Sequence, residues 1–161
     1  MTGQRPSTTT DLGSGVVSLR VLVVDDDPAE FALIQAGFCQ CQTRIELLTA
    51  TSAPMAMAEL VFGGPGGRPH IAVVDVNMPL VTGFALAELL IREAVPTLLI
   101  SVQISGERTA RAKRIGAIDL LVKPTDVHGY AQLAGSILDA VGWPRQGCSA
   151  IPPGLKVPRN G

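Results

Sequence analysis

Four carboxylates, one hydroxyl and one ammonium attract attention because each follows an apolar run. Val21-Leu22-Val23-Val24 leads into Asp25-Asp26-Asp27, and Ile71-Ala72-Val73-Val74 leads into Asp75. Thr97-Leu98-Leu99-Ile100 ends in Ser101, and Ile118-Asp119-Leu120-Leu121-Val122 ends in Lys123-Pro124. Short runs of this kind are buried-strand signals. Each delivers a polar side chain at its C-terminal end, the rim where open α/β sheets bind ligands.

If the strands ending in Asp25-Asp26-Asp27 and in Asp75 are neighbours, several carboxylates share one small space. Like charges so close raise one another's pKa unless a cation intervenes. Mg²⁺ suits such a site: it takes hard oxygen ligands from one or two carboxylates and keeps several waters. Lys123 adds a compact positive charge and Ser101 a hydroxyl. Together they could hold the oxygens of a phosphoryl group while a carboxylate attacks phosphorus, forming an acyl phosphate. Taken singly, each feature has a plain structural reading. Asp27-Pro28 is an ordinary helix start, a strand-end Asp or Ser can cap a helix, and Lys-Pro is a common strand exit. The set of four, in order and at four different strand ends, is what points to chemistry.

These residues must be positioned by alternating strands and helices. Strands are expected at about 20–25, 45–50, 70–75, 97–101 and 118–122. Pro28 opens a helix carrying Phe31, Ile34, Phe38 and Cys41 at helical spacing. Pro54 starts another, with Met55, Ala58 and Phe62. A third follows Gly83, with Ala85, Leu86, Leu89 and Leu90. A fourth, about 107–115, carries Arg108, Arg111, Lys113 and Arg114 and has only Ala110, Ala112 and Ile115 to bury, so it is weakly anchored. The last starts near Thr125 as N-cap and presents Val127, Tyr130, Ala134, Ile137, Leu138 and Val141. Strand–helix alternation of this kind implies a parallel sheet with helices on both faces. Pattern alone leaves the strand order open.

The chain has 161 residues, 47% hydrophobic and 17% charged, which suits one globular domain at 19–141. Residues 1–18 read as a flexible leader. Residues 142–161, with four prolines, three basic side chains and no acid, read as a disordered basic tail. A net charge of −1 argues against nucleic acid as a partner. No apolar stretch approaches the roughly 18 residues needed to span a membrane, and no signal peptide is visible. Cys39, Cys41 and Cys148 read as free thiols in a reducing compartment, so a cytoplasmic setting is expected. Gly63-Gly64-Pro65-Gly66-Gly67 lacks the ending of a phosphate-binding P-loop and reads as a connector. His70 and His128 read as surface residues without a role.

The words Val-Leu-Val-Val-Asp-Asp-Asp-Pro (21–28), Val-Val-Asp-Val-Asn-Met-Pro (73–79) with Gly83, Ser101, and Val-Lys-Pro (122–124) resemble the receiver domain of response regulators, in its stand-alone chemotaxis-type form. The resemblance covers about residues 19–141. It implies a flavodoxin-like, doubly wound five-stranded parallel sheet of order 2-1-3-4-5. It also implies Asp75 as phosphoacceptor and Asp26 as principal Mg²⁺ ligand, with Asp25 assisting and Asn77 lending its backbone carbonyl. Lys123 would pair with the phosphoryl group, and Ser101 would reorient toward it. Such a protein is no enzyme beyond catalysing its own phosphorylation and dephosphorylation. Its partners would be a histidine kinase or histidine phosphotransfer protein and a downstream target protein. The signalling face would include Arg108, Arg111 and Arg114, and receivers can dimerise through the 107–141 face.

Three positions depart from the family pattern. Val102 follows Ser101 where a very small residue is usual, and would narrow access to the site. Leu120 occupies a switch position that is usually aromatic. Thr82 stands where an acid is frequent. Val102 and Leu120 keep open a constitutive receiver-like binding module that is never phosphorylated. A haloacid-dehalogenase-type phosphatase using Asp25 is a further alternative, although Ala29 stands where that motif wants Thr or Val.

Overall fold

The computed structural model describes residues 18–64 and 66–144. Five strands alternate with five helices: β1 (Leu19–Val24), α1 (Ala29–Gln40), β2 (Ile45–Ala50), α2 (Ala53–Phe62), β3 (Ile71–Asp75), α3 (Gly83–Arg92), β4 (Thr97–Ser101), α4 (Gly106–Ile115), β5 (Leu120–Val122) and α5 (Val127–Ala140). All the strand pairs are parallel, in the order β2-β1-β3-β4-β5. This is the flavodoxin-like arrangement that the resemblance implied. The order reverses direction between β1 and β3, and a crevice opens at that switch point.

The alternation of side chains along each strand builds two cores, one on each side of the sheet. Leu22, Val24, Ala72, Val74, Leu99 and Leu120 face the helices α2, α3 and α4. Val21, Val23, Ile71, Val73, Leu98 and Ile100 face α1 and α5. Because β1, β3 and β4 are buried on both faces, their sequences are continuous apolar runs rather than alternating ones. Register is in phase across the sheet: Val24 pairs with Val74, Val74 with Leu99, and Leu99 with Leu120. That phase brings the four polar strand ends to a common rim.

Close helix packing places glycine where nothing larger fits. Gly37 on α1 lies so near the α5 backbone that a Cβ would sit 2.3 Å from the Tyr130 carbonyl oxygen. Gly116 ends α4 in the left-handed region at φ 86°, and its backbone N–H caps the helix.

Several local expectations change. On α2 the residues at the expected apolar spacing, Met55, Ala58 and Phe62, are the exposed face, and Phe62 is 83% exposed. The face that meets the core carries Ala56 and Leu60, with Ala53 and Met57 against it. An almost wholly apolar helix has a small moment, so sequence could not orient it. The N-cap of α5 is Asp126, whose carboxylate accepts from the Gly129 N–H at 2.7 Å, rather than Thr125. Thr82 caps α3 by accepting from the Ala85 N–H. β5 is shorter than expected, beginning at Leu120, because the Asp119 carboxylate takes the Leu120 N–H at its start. Beyond α5, Trp143 packs against the α1/α5 core, and its ring lies 5.6 Å from that of His70.

His70 has a structural role that its sequence position hid. Its Nδ1 accepts the Arg20 backbone N–H at 2.9 Å. The Arg20 side chain is buried and faces Glu46 at 3.2 Å. The glycine-rich connector packs over it, for a Cβ at Gly66 would overlap the Arg20 guanidinium. The expectations for residues 1–17 and for the tail beyond 144 lie outside the described residues. Among the described residues, no helix is long and apolar enough to cross a membrane.

Candidate functional site

The C-terminal rim of the sheet gathers Asp25 just after β1, Asp75 at the end of β3, Ser101 at the end of β4 and Lys123 just after β5. Asp25, Asp75 and Ser101 are buried, whereas Asp26 faces solvent. Asp25, Asp26 and Asp75 each offer a carboxylate oxygen, all within 4.8 Å of one another. The turn conformation holds them there. Asp25 Oδ1 accepts the Asp27 N–H at 2.9 Å, and Asp75 Oδ1 accepts the Asn77 N–H at 3.0 Å. Asp27 belongs to the helix start, accepting from the Ala29 N–H.

Lys123 reaches across from β5. Its Nζ donates to Asp25 Oδ2 at 2.7 Å and lies 3.5 Å from Asp75 Oδ2 and 3.7 Å from Glu30 Oε1. Glu30 in turn accepts a hydrogen bond from the Tyr130 hydroxyl at 2.6 Å. Three carboxylates therefore converge on one ammonium. Burial pushes the Asp25 carboxyl above its ordinary value, although the Lys123 hydrogen bond opposes that shift. For Lys123, burial alone would lower the pKa. The hydrogen bond and charge of Asp25, with the charges of Asp75 and Glu30, outweigh burial and raise it. The Lys123 ammonium keeps a charged partner whichever carboxyl takes up a proton. Burial, and then the Glu30 bond and charge, push the Tyr130 phenol far above its ordinary value.

The donor set fits a hard divalent cation. It consists of carboxylate oxygens, with an exposed Asp26 leaving one side open to water. Crowded carboxylates that a single ammonium must neutralise make such an ion favourable there.

Gly83 is part of this architecture. A Cβ on it would lie 2.0 Å from the Asp75 carbonyl oxygen and 2.7 Å from Val76 Cα, so only glycine lets α3 begin against the backbone of the acid. Ser101 is held by several partners. Its hydroxyl donates to the Gln103 carbonyl at 2.7 Å and accepts from Arg108 Nη1 at 2.7 Å. The Asn77 side-chain amide donates to it at 3.4 Å.

The remaining sequence candidates scatter. Val102 is 63% exposed and points outward, while Leu120 is buried in the same apolar cluster as Phe84 and Ala112. Arg114 is exposed on α4. Arg111 is exposed too, with its guanidinium 4.5 Å over the Phe84 ring. Arg108 is half-buried and turned inward to Ser101. Glu30 and Tyr130 were not foreseen. The signal available was that a lone tyrosine on the buried stripe of the last helix needs a partner for its hydroxyl.

Comparison with known proteins shows the family. The family model described as the response regulator receiver domain matches residues 21–133. The transcriptional regulatory protein PrrA of Mycobacterium tuberculosis is 33% identical over 115 residues, covering 70% of this chain and 47% of PrrA. A protein-glutamate methylesterase/protein-glutamine glutaminase of Caulobacter vibrioides is 28% identical over 129 residues, covering 78% of this chain and 36% of that one. The chain thus spans about half, or less, of the length of these relatives. Among solved structures, the chemotaxis protein CheY4 of Vibrio cholerae superposes with a TM-score of 0.62 at 25% identity, covering 75% of this chain and 99% of that one. The receiver domain of the Francisella response regulator 1452 gives 0.63 at 22%, covering 78% and 98%. The chain belongs to the response-regulator receiver domain family.

Proposed function

We propose that this chain is a phosphorylation-controlled signalling module of a two-component phosphorelay, with Asp75 as the phosphoacceptor. The observation that carries the reading is the bridging position of Lys123, within 3.5 Å of both Asp25 and Asp75 on the rim where the carboxylate trio gathers. Asp25, Asp26, Asp75 and the Asn77 backbone carbonyl would hold Mg²⁺. The ion's chemistry is to neutralise charge on the carboxylates and on the incoming phosphoryl oxygens.

In this reading an Asp75 carboxylate oxygen attacks phosphorus. The new P–O bond forms as the bond to the donor breaks, and the donor leaves with that electron pair. Lys123 exchanges its contact with Asp75 for a phosphoryl oxygen, and Ser101 donates to another. Positioning and charge neutralisation do the work. The tighter Lys123 bond to Asp25, 2.7 Å against 3.5 Å for Asp75, favours Asp75 over Asp25 as the nucleophile in this reading. The donor would be a histidine kinase or histidine phosphotransfer protein in the cytoplasm. The output would be contact with a target protein through the face carrying Arg111 and Arg114, which suits an acidic partner surface.

Incubation with acetyl phosphate and Mg²⁺, followed by intact mass measurement, tests the reading. One added phosphoryl group in the wild type and none in Asp75→Asn is expected. No addition to the wild type means a constitutive binding module instead.

A further inference from the structure

The Ser101 hydroxyl has a single proton, and the Gln103 carbonyl holds it at 2.7 Å. The oxygen is also occupied. Arg108 Nη1 donates to it at 2.7 Å, and the same nitrogen donates to the Gln103 carbonyl at 3.1 Å. The Gln103 N–H adds a longer contact at 3.3 Å. Residues 101, 103 and 108 thus close a ring that folds the 102–105 loop back on the end of β4. A hydroxyl tied this way cannot donate to a phosphoryl oxygen without breaking the ring.

We propose that Arg108 is a positioning residue: a latch that holds the Ser101 hydroxyl and the 102–105 loop in the resting arrangement and must release before that hydroxyl can serve Asp75. The inference rests on the phosphoacceptor reading for its consequence, but the latch itself is a property of the unphosphorylated chain. Charge makes the arginine bond a strong one. Its leverage on the helix comes from two further facts. Ala112 is the buried residue of α4, so little apolar area holds the helix down. The Arg108 backbone N–H also donates to Ser105, the N-cap, so the same residue ties the first turn of α4 to the loop. A phosphoryl group on Asp75 competes for the Ser101 proton and attracts the guanidinium. It therefore favours the released state by its differential interaction with the two arrangements. Replacing the arginine with a neutral side chain would make the switch easier to throw.

The test uses Arg108→Met, which keeps the stem and removes the donors, and Arg108→Lys, which keeps a charged donor. With acetyl phosphate and Mg²⁺, Arg108→Met should gain its phosphoryl group about ten-fold faster than wild type, the equivalent of about 1.4 kcal/mol. Arg108→Lys should stay within about three-fold of wild type. In a Ser101→Ala background the methionine substitution should have no effect on the rate, because the latch acts through that hydroxyl. In the unphosphorylated protein, amide hydrogen exchange across 102–106 should quicken about ten-fold in Arg108→Met, with β1 and β3 unchanged. An unchanged or slower rate in Arg108→Met, the same acceleration without the Ser101 hydroxyl, or unchanged exchange across 102–106 overturns the latch. If the wild type takes up no phosphoryl group, the phosphoacceptor reading fails and the exchange measurement alone decides the latch.

Discussion

Replacing Lys123 with methionine removes the charge and keeps most of the stem, so it isolates what the ammonium does. In the wild type Nζ lies 2.7 Å from Asp25, 3.5 Å from Asp75 and 3.7 Å from Glu30. At an effective dielectric of about 20, a pair some 3.5 Å apart attracts by about 5 kcal/mol before desolvation is counted. Stripping one partner from a fully buried pair costs about 3–5 kcal/mol. The Lys123 side chain is 14% exposed, so screening lowers the expectation to about 2–4 kcal/mol. The sign of the pH dependence follows from the carboxylates left behind. Without the ammonium, Asp25 loses the bond and charge that oppose burial, and its folded-state pKa rises further above the unfolded value. The folded variant then binds more protons than the unfolded one, and its stability rises as pH falls. Urea unfolding at neutral pH should show the full deficit, and at about pH 5 the deficit should be smaller. At a fixed Mg²⁺ concentration the deficit should shrink as well, because the variant, lacking the competing ammonium, gains more from the ion than the wild type does. A deficit identical at both pH values refutes the idea that these carboxylates share one electrostatic site.

Other perturbations reach the same architecture from different sides. The chain has one tyrosine, so its ionisation can be followed by absorbance alone. Tyr130 is held protonated and Lys123 protonated in the fold, so both contribute stability that is complete below about pH 10 and lost above it. Tyrosinate should appear only as the chain unfolds, and Tyr130→Phe should flatten the alkaline loss; free titration near the ordinary value would contradict the Glu30 bond. Gly83→Ala sets a Cβ against the Asp75 backbone, and backbone cannot yield as a side chain does, so a loss of about 3 kcal/mol together with reduced phosphoryl uptake is expected. Phe38→Ala, on the fully buried face of α1, should cost about 3–5 kcal/mol in chemical unfolding and leave phosphoryl uptake intact at temperatures where the variant is folded.

The sequence by itself determined the central strands β1, β3 and β4, because runs buried on both faces are mostly apolar and end where a polar group meets the rim. It also marked Asp25, Asp26, Asp75, Ser101 and Lys123, since polar residues closing such runs are conspicuous. Reading them as one site needed the strand order, which the family resemblance implied and the sheet displays. Some features were illegible for physical reasons. The inward face of α2 was hidden, because a helix apolar all round carries no directional pattern. Glu30 gave no signal, because an acid in the first turn of a helix is ordinary until a tyrosine a hundred residues away bonds to it. Arg108 looked like one more basic surface residue, and only the folding back of the 102–105 loop turned it onto Ser101. Local sequence carries periodicity and capping, which act over a few residues. Which charge meets which is decided by long-range packing, and that packing set both the triple neutralisation of Lys123 and the restraint on Ser101.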